Sequence, residues 1–278
     1  MPDNQAAIKI QSRVRGFFAR KKYAYQPLPI EQQSDYNVIV AGNDPNIRTL
    51  PNHPPTAQIA LVATSGVRAV HMACELGGQL PKIFLVDNSR HVINYWRYIQ
   101  AEMRTANNKA EFFAALTAYT TRCVPACDIR ELLTRQRELK EDKRYYTFLF
   151  ENFGFLLCKR IILNATVIPQ SWDDKSTFQK IKNICTYLAF DKVYAYPSNI
   201  VSYLYNKNLV ASARNVLENI QLLCPRLAFH SDLLPSEHGP CCHSPQNIIT
   251  VNNHAINYVA DKLGIDLTSV STAQKHMM

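Results

Sequence analysis

Hydrophobic residues in the body of the chain form short continuous runs that alternate with helical patterns. The segments QIALVATSG and KIFLVDNS, which begin at Gln58 and Lys82, are continuous apolar runs. Such runs are typical of parallel strands that are covered on both faces. Between them lies VRAVHMACELGGQLP, whose pattern predicts a helix that ends at Gly77-Gly78. Strand, helix and strand together predict a β-α-β unit of about thirty residues.

The alternation continues to about residue 262. Three helical segments follow the second strand, and they are NSRHVINYWRYIQAEM, NKAEFFAALTAYTTR and the long DIRELLTRQRELKEDKRYYTFLFENFGFLLCKR. Further strand-like segments with helical spacers are ATVIPQSW, FDKVYAYPSN and RLAFHSDLLP, before NIITVNN and a last helix, HAINYVADKLG. This order predicts an α/β fold with a doubly wound, mainly parallel sheet of the Rossmann-like type. It also predicts a helical insertion at residues 100–160, after the second strand.

An acidic residue ends the second predicted strand. Asp87 lies 21 residues after the turn glycine Gly66, and at this spacing an acid accepts hydrogen bonds from ribose hydroxyls. Alternatively, Asp87 caps the helix that starts near Ser89. The single turn glycine argues against a dinucleotide, whose pyrophosphate needs several close backbone positions. An adenosine-type cofactor remains open, and so does a fold that binds nothing there.

Residues 57–262 resemble class I S-adenosylmethionine-dependent methyltransferases. The likeness is greatest to the branch with a helical insertion after the second strand, as in betaine-lipid-synthase-like carboxypropyl transferases. The resemblance implies S-adenosyl-L-methionine as cofactor. It implies Ala63, Thr64, Ser65 and Gly66 at the methionine side, Asp87 at the ribose, Trp172 and Asp173 beside the adenine, and Pro197, Ser198 and Asn199 at the exit of the fourth strand. Gln170-Ser171 replaces a Gly-Asp that is common in the family, which leaves open a degenerate domain.

The residues that would carry transfer chemistry are less defined. A transferase needs a positioned acceptor and a base, and His230 and Asp232 at the exit of the last parallel strand are candidates. Trp172 is either a stacking residue or a packed aromatic. Several tyrosines near Asn199 either line a substrate pocket or simply pack, namely Tyr194, Tyr196, Tyr203 and Tyr205.

The N-terminal segment differs from the body in charge. The formal net charge is +9, and residues 1–22 hold six Lys/Arg and one acid. At about 100° per residue, Ile10, Val14 and Phe17 fall on one stripe of a basic helix over residues 8–22. Such a stripe needs an apolar groove with an acidic rim. Because the basic residues are concentrated here, no nucleic-acid partner is expected for the body.

This segment resembles the IQ motif family of calmodulin-binding segments. Ile10-Gln11, Arg15-Gly16 and Arg20-Lys21 match its I-Q-x-x-x-R-G-x-x-x-R-K pattern at every specified position. The resemblance implies calmodulin as partner. The contacts would come from Ile10, Gln11, Val14, Arg15, Gly16, Phe17, Arg20 and Lys21. The alternative is a basic helix that packs on its own domain or lies on an anionic membrane surface.

Composition and cysteine usage predict a cytoplasmic protein. Several of the eight cysteines lie inside apolar runs, where a free cysteine acts as a small hydrophobe. No signal peptide or membrane-spanning run is evident, which favours a reducing compartment. If the source is a bacterial pathogen, calmodulin is a host protein, and we expect a secreted effector in the host cytosol. Adjacent Cys241 and Cys242 are awkward zinc ligands, so no metal is predicted.

These observations give a domain division and two functional hypotheses. We expect an IQ helix at 1–25, a linker or arm at 26–56, a methyltransferase-like domain at 57–267 and a flexible tail at 268–278. The first hypothesis is a calmodulin-binding transferase that uses S-adenosylmethionine on a small-molecule or protein substrate. The second is a non-catalytic calmodulin-binding module on a degenerate fold of the same kind.

Overall fold

A six-stranded sheet forms the centre of the protein. The computed structural model describes residues 25–38, 40, 50–122, 129–231, 248–250, 260 and 262–265. The strands are β1 Ile59–Ala63, β2 Lys82–Asp87, β3 Thr166–Pro169, β4 Lys192–Ser198, β5 Leu227–Ser231 and β6 Ile248–Thr250. Their order is β3-β2-β1-β4-β5-β6, with β1 to β5 parallel and β6 antiparallel to β5. This confirms the predicted mainly parallel sheet, whose order is that of doubly wound folds.

Helices cover both faces of the sheet. They are α1 Arg68–Leu76, α2 Arg90–Thr105, α3 Lys109–Arg122, α4 Ile129–Phe153, α5 Phe155–Asn164, α6 Lys175–Tyr187, α7 Ile200–Asn206 and α8 Val210–Leu223. In β1, Leu61 and Ala63 join the core cluster that contains α1, α2 and α5, whereas Ala60 and Val62 join the cluster that contains α6 and α8. Burial on both faces explains why the β1 sequence is a continuous apolar run. In the described part of the chain, no helix is long and apolar enough to cross a membrane.

The helical insertion differs from the prediction at one point. The single long helix predicted over residues 128–160 was wrong, because two helices, α4 and α5, occupy that stretch. The break is at Gly154, whose φ of 82° lies in the left-handed region that favours glycine. The chain leaves the helical conformation there, and α5 packs against α4 and α2.

The segment before the sheet lies along the carboxyl edge of the strands. We call residues 25–38 the strap. Its Leu28 amide donates to the carbonyl of Pro169 at the end of β3 (2.8 Å), and its Ser34 amide donates to the carbonyl of Asn88 after β2 (2.9 Å). Two prolines near its start oppose helix formation, so a helix in the preceding segment cannot simply continue along the strap.

The turn between α1 and β2 generates a prediction about stability. A Cβ at Gly78 would lie 2.7 Å from the carbonyl oxygen of Ala57 and 2.9 Å from Cδ1 of Ile59, whereas a Cβ at Gly154 would meet nothing within 4 Å. Both glycines have positive φ, so both Ala variants carry backbone strain. We expect Gly78→Ala to lower the free energy of unfolding by about 1–3 kcal/mol more than Gly154→Ala, because only Gly78 is crowded. Urea denaturation of both variants measures this, and equal losses would contradict the packing described here.

Candidate functional site

A cavity of about 230 Å³ opens at the carboxyl edge of the sheet. Ligands bind at this edge in doubly wound folds, near the point where the strand order reverses. Of the ten residues predicted to bind the cofactor, five line the cavity, and they are Thr64, Ser65, Asp87, Trp172 and Asn199. The other five predicted cofactor residues are not part of its lining, and they are Ala63, Gly66, Asp173, Pro197 and Ser198.

The Asp87 carboxylate joins two strand-end turns beneath the cavity. Its Oδ2 accepts hydrogen bonds from the Thr64 hydroxyl (2.7 Å) and the Ser65 amide (2.9 Å), both of which follow β1. Its Oδ1 accepts from the amide of Ser89, which follows β2 (2.8 Å). A carboxylate has about four acceptor positions. Asp87 therefore uses most of its capacity inside the protein, although it also lines the cavity.

Burial controls the ionisation of this carboxylate. Asp87 is 8% exposed, and burial raises its pKa, while the hydrogen bonds from Ser89, Ser65 and Thr64 act in the opposite direction. Asp87 does not cap α2, because Ser89 occupies the N-cap and its hydroxyl accepts from the Val92 amide. The capping alternative for Asp87 was therefore wrong.

The turn after β1 holds a strained residue. Ser65 has a φ of 68°, in the left-handed region that side chains other than glycine rarely adopt. Two contacts hold it there, since its amide donates to Asp87 and its carbonyl accepts from Nε1 of Trp96 (2.8 Å). Backbone strain of this kind clusters at ligand sites, where the surrounding structure must impose it.

Trp172 belongs both to the core and to the cavity wall. It is 3% exposed, its Nε1 donates to the carbonyl of Val86 (2.8 Å), and its ring packs on Phe178. The buried Asn219 side chain donates to the Trp172 carbonyl (2.8 Å). These contacts fix the indole in place, so it is a rigid wall. Whether it also stacks on a ligand stays a prediction.

Two residues of the strap complete the cavity, and no pattern in the sequence indicates them. Tyr36 and Asn37 line it, and the Tyr36 hydroxyl forms a short hydrogen bond with that of Tyr203 at the start of α7's second turn. The rings meet edge to face, 5.8 Å apart. This hydrogen bond raises the pKa of Tyr36. The remaining lining residues adjoin predicted ones in sequence or follow one helical turn later, and they are Asn88, Ser89, Val92, Ser171, Ile200 and Leu204.

The four tyrosines near Asn199 divide between the cavity and the core. Tyr203 lines the cavity. Tyr194 and Tyr196 are fully buried in the core, and Tyr205 packs against the second core cluster. Only Tyr203 therefore fulfils the expectation of a pocket residue.

The cavity lining holds few ionisable groups. Asp87 is the one carboxylate in the lining, and no Lys, Arg or His belongs to it within the described part of the chain. A site for a phosphate group normally supplies cationic side chains or a glycine-rich amide cradle. The described lining offers no such cation.

Some predicted residues cannot be assigned a contact. The backbone of His230 lies in β5 and pairs with Ser198, but its side chain lies outside the described residues, as do Asp232, Cys241 and Cys242. The predicted calmodulin-binding segment is also outside them. Among the described cysteines, the free thiols are Cys74, Cys158, Cys185 and Cys224.

Comparison with known proteins identifies the N-terminal segment. Residues 4–24 match the family model of the IQ calmodulin-binding motif, and this range includes every residue predicted to contact calmodulin. No curated protein matches the chain. The chain therefore carries an IQ motif, which supports calmodulin binding. No family model or curated protein supports the methyltransferase resemblance of the body.

The carboxylate between the two turns generates a second prediction. Thr64→Val removes one hydroxyl donor from Asp87 at nearly constant shape, and Thr64 is only 5% exposed. We expect a loss of about 1.5–3 kcal/mol in the free energy of unfolding, the range for hydrogen bonds to charged groups. Thr105→Val is the control, because the exposed Thr105 hydroxyl bonds only to a helix carbonyl. Chemical denaturation compares them, and losses of equal size would show that the Thr64 contact is not specifically stabilising.

Proposed function

We propose that this protein binds calmodulin through residues 4–24 and S-adenosylmethionine, or a related adenosine-containing ligand, in the cavity at the sheet edge. The match to the IQ calmodulin-binding motif carries the first part. The second part is supported by the position of Asp87 and the cavity at the end of β2. The associated activity is group transfer from the bound cofactor.

Calmodulin binding follows from the chemistry of the matched segment. Apolar side chains spaced by three or four residues suit a groove that receives one face of a helix. Basic residues surround that stripe, and residues 1–22 hold six Lys/Arg and one acid. Their charge suits the acidic rim of the partner and steers association. Ile10 and Gln11 form the anchor pair, and Arg15 and Arg20 are the charged clamps.

The third prediction tests this anchor. Ile10→Ala, alone or with Gln11→Ala, should weaken calmodulin binding by about 2 kcal/mol or more, because truncation of a residue buried at the centre of an interface has a large effect. Ile8→Ala is the matched control, since it removes the same side chain outside the specified positions of the motif. The affinities are measured by calorimetric titration of the full chain and of a peptide covering residues 4–25, with calcium and with chelator.

Two outcomes of that titration are decisive. If the wild-type protein and peptide bind under neither condition, and the protein binds anionic vesicles through the same segment, the membrane alternative is correct. If Ile8→Ala weakens binding as much as Ile10→Ala, the anchor is misassigned.

The size of the cavity suits a nucleoside better than a dinucleotide. Ligand pockets usually have volumes of about 300–1,000 Å³, and this cavity has about 230 Å³. Asp87 accepts from Thr64, Ser65 and Ser89, and the Asn88 amide also acts on it, so a ribose hydroxyl would have to share or replace one of these donors. The lining also contains the side-chain amides of Asn37 and Asn88, which are suitable hydrogen-bond partners for a second hydroxyl.

The electrostatics suit a cationic cofactor. S-adenosylmethionine carries a sulfonium, and the lining offers a carboxylate and the rings of Tyr36, Trp172 and Tyr203. Aromatic faces and carboxylates attract cations. A phosphorylated cofactor would find no cationic side chain in the described lining. The cavity therefore discriminates by charge as well as by volume.

The chain's own residues define what chemistry is available. When bound, the cofactor supplies an electrophilic carbon on its sulfonium. The strap, Tyr203 and Trp172 would exclude water and orient the acceptor. Tyr36 is poorly suited as a base, because its hydrogen bond with Tyr203 raises its pKa. His230 and Asp232 stay the candidate proton acceptors predicted from the sequence, and their side chains lie outside the described residues.

A non-catalytic role is the second candidate, and one observation favours it. Asp87 accepts hydrogen bonds from Thr64, Ser65, Ser89 and Asn88 of the protein itself, so its position at the strand end serves the fold even without a ligand. A domain that kept this carboxylate for stability alone would be a platform for interactions. Ligand binding separates the two functions.

The fourth prediction concerns that ligand. S-adenosylmethionine and S-adenosylhomocysteine should bind and stabilise the protein, by about 2.7 kcal/mol at one hundred times the dissociation constant. Asp87→Asn should weaken binding by about tenfold to a hundredfold, since it removes a charged acceptor. Asp174→Asn is the control, because that carboxylate also accepts from a threonine hydroxyl and a backbone amide but caps α6 outside the cavity lining.

Calorimetry and thermal shift measure these affinities, with NAD and ATP as phosphorylated comparison ligands. Absence of binding by both sulfur compounds would favour the non-catalytic module. Equal weakening by Asp87→Asn and Asp174→Asn would mean that the ligand site is elsewhere.

A further inference from the structure

The strap connects the IQ motif directly to the cavity. The matched motif ends at residue 24, and the strap begins at Tyr25. Near its other end, Tyr36 and Asn37 form part of the cavity wall. The strap therefore adjoins the IQ motif at one end and forms a wall of the candidate ligand site near the other.

Tyr25 anchors the strap on the body, immediately after the motif. Its ring packs against the core cluster that contains α6 and α8, and Cys185 of α6 lies close to it. Its hydroxyl is buried and has no hydrogen-bond partner among the residues that the structure describes. A buried hydroxyl without a partner opposes its own burial, because it has given up hydrogen bonds to water. Tyr25 therefore regains hydrogen bonds when it returns to solvent.

The other attachments of the strap are mainly polar, apart from Val38, which packs against the core cluster that contains α1, α2 and α5. None of residues 25–38 is fully buried. Segments with few buried apolar contacts and exposed hydrogen bonds open more readily than the core does. The attachments include backbone hydrogen bonds from Leu28 to Pro169 and from Ser34 to Asn88, the ion pair of Asp35 with Arg90, and the hydrogen bond between Tyr36 and Tyr203.

Calmodulin on the motif would reach this anchor. Tyr25 is four residues after Lys21, the last specified position of the motif, and four residues span at most about 14 Å. A partner that surrounds the motif helix with one layer of its own helices extends to about 15 Å from the axis of that helix. A partner that encloses the motif therefore meets the surface around Tyr25 unless this anchor moves.

We propose that calmodulin binding at residues 4–24 releases the strap from the sheet edge and opens the cavity. The strap is then a closure over the cavity, with the Tyr36–Tyr203 hydrogen bond as its clasp. This inference rests on the calmodulin binding proposed above. Because coupling between two sites is reciprocal, anything that loosens the strap strengthens calmodulin binding by the same factor.

Hydrogen exchange of the full chain tests the release directly. Saturating calmodulin should accelerate amide exchange within residues 26–38 and at Arg90, whose amide donates to the Ser34 carbonyl. Exchange in β1 should stay unchanged, since that strand is the centre of the sheet. The double variant Ile10→Ala/Gln11→Ala, at the same calmodulin concentration, should show the slow exchange of the free protein.

The reciprocal arm measures calmodulin affinity. Tyr36→Phe removes the clasp, and it should tighten calmodulin binding by about three- to tenfold, the factor that corresponds to one net hydrogen bond. Tyr98→Phe is the matched control, because it removes a tyrosine hydrogen bond to the Ala115 carbonyl, between α2 and α3. Its calmodulin affinity should equal that of the wild type.

The outcomes separate this inference from the function on which it rests. Calmodulin that binds without accelerating exchange in residues 26–38, or that slows it, would overturn the release of the strap and leave calmodulin binding established. Equal affinities of Tyr36→Phe and wild type would overturn the clasp. Failure of calmodulin to bind at all would overturn both proposals.

Discussion

A single buried carboxylate fixes the geometry on which the rest of the site depends. Asp87 ends β2 and accepts hydrogen bonds from both the turn after β1 and the turn that begins α2. These turns form adjacent walls of the cavity, and one of them holds Ser65 in a strained conformation. Burial raises the pKa of Asp87, and the hydrogen bonds that it accepts act in the opposite direction. Under the proposed function, fold stability and ligand recognition would share one side chain.

The IQ motif and the cavity are adjacent along the chain. The strap carries Tyr36 and Asn37 to the cavity and starts directly after the motif. Apart from Tyr25 and Val38, which pack against the core, its attachments are mainly polar, whereas the sheet beneath it is fully buried along β1. A buried sheet edge beneath such a segment suits a site whose access changes when that one wall moves. The lining holds a carboxylate and no described cation, which disfavours phosphorylated ligands.

Features that depend on local interactions were predictable from the sequence, and features that depend on contacts between distant residues were not. The β1 run and Asp87 were recognisable, because burial on both faces and strand-to-acid spacing are local patterns. The break at Gly154 was missed, since the helical periodicity continues on both sides of it. The contact of Tyr36 with Tyr203 joins residues 167 positions apart, and no local pattern encodes it. The use of Asp87 by the protein's own donors likewise depends on the conformation of a turn.

The central claim is that the carboxyl edge of the sheet binds an adenosine-containing ligand at Asp87. Backbone amide chemical shifts of the isotope-labelled protein, followed during titration with S-adenosylhomocysteine, test it most directly. The Ser65 and Ser89 amides both donate to Asp87, so their shifts should change saturably and together. The Gly77 amide, which bonds to Cys74 at the far end of α1, should not respond. Saturable shifts confined to other residues, or none at all, would contradict the account.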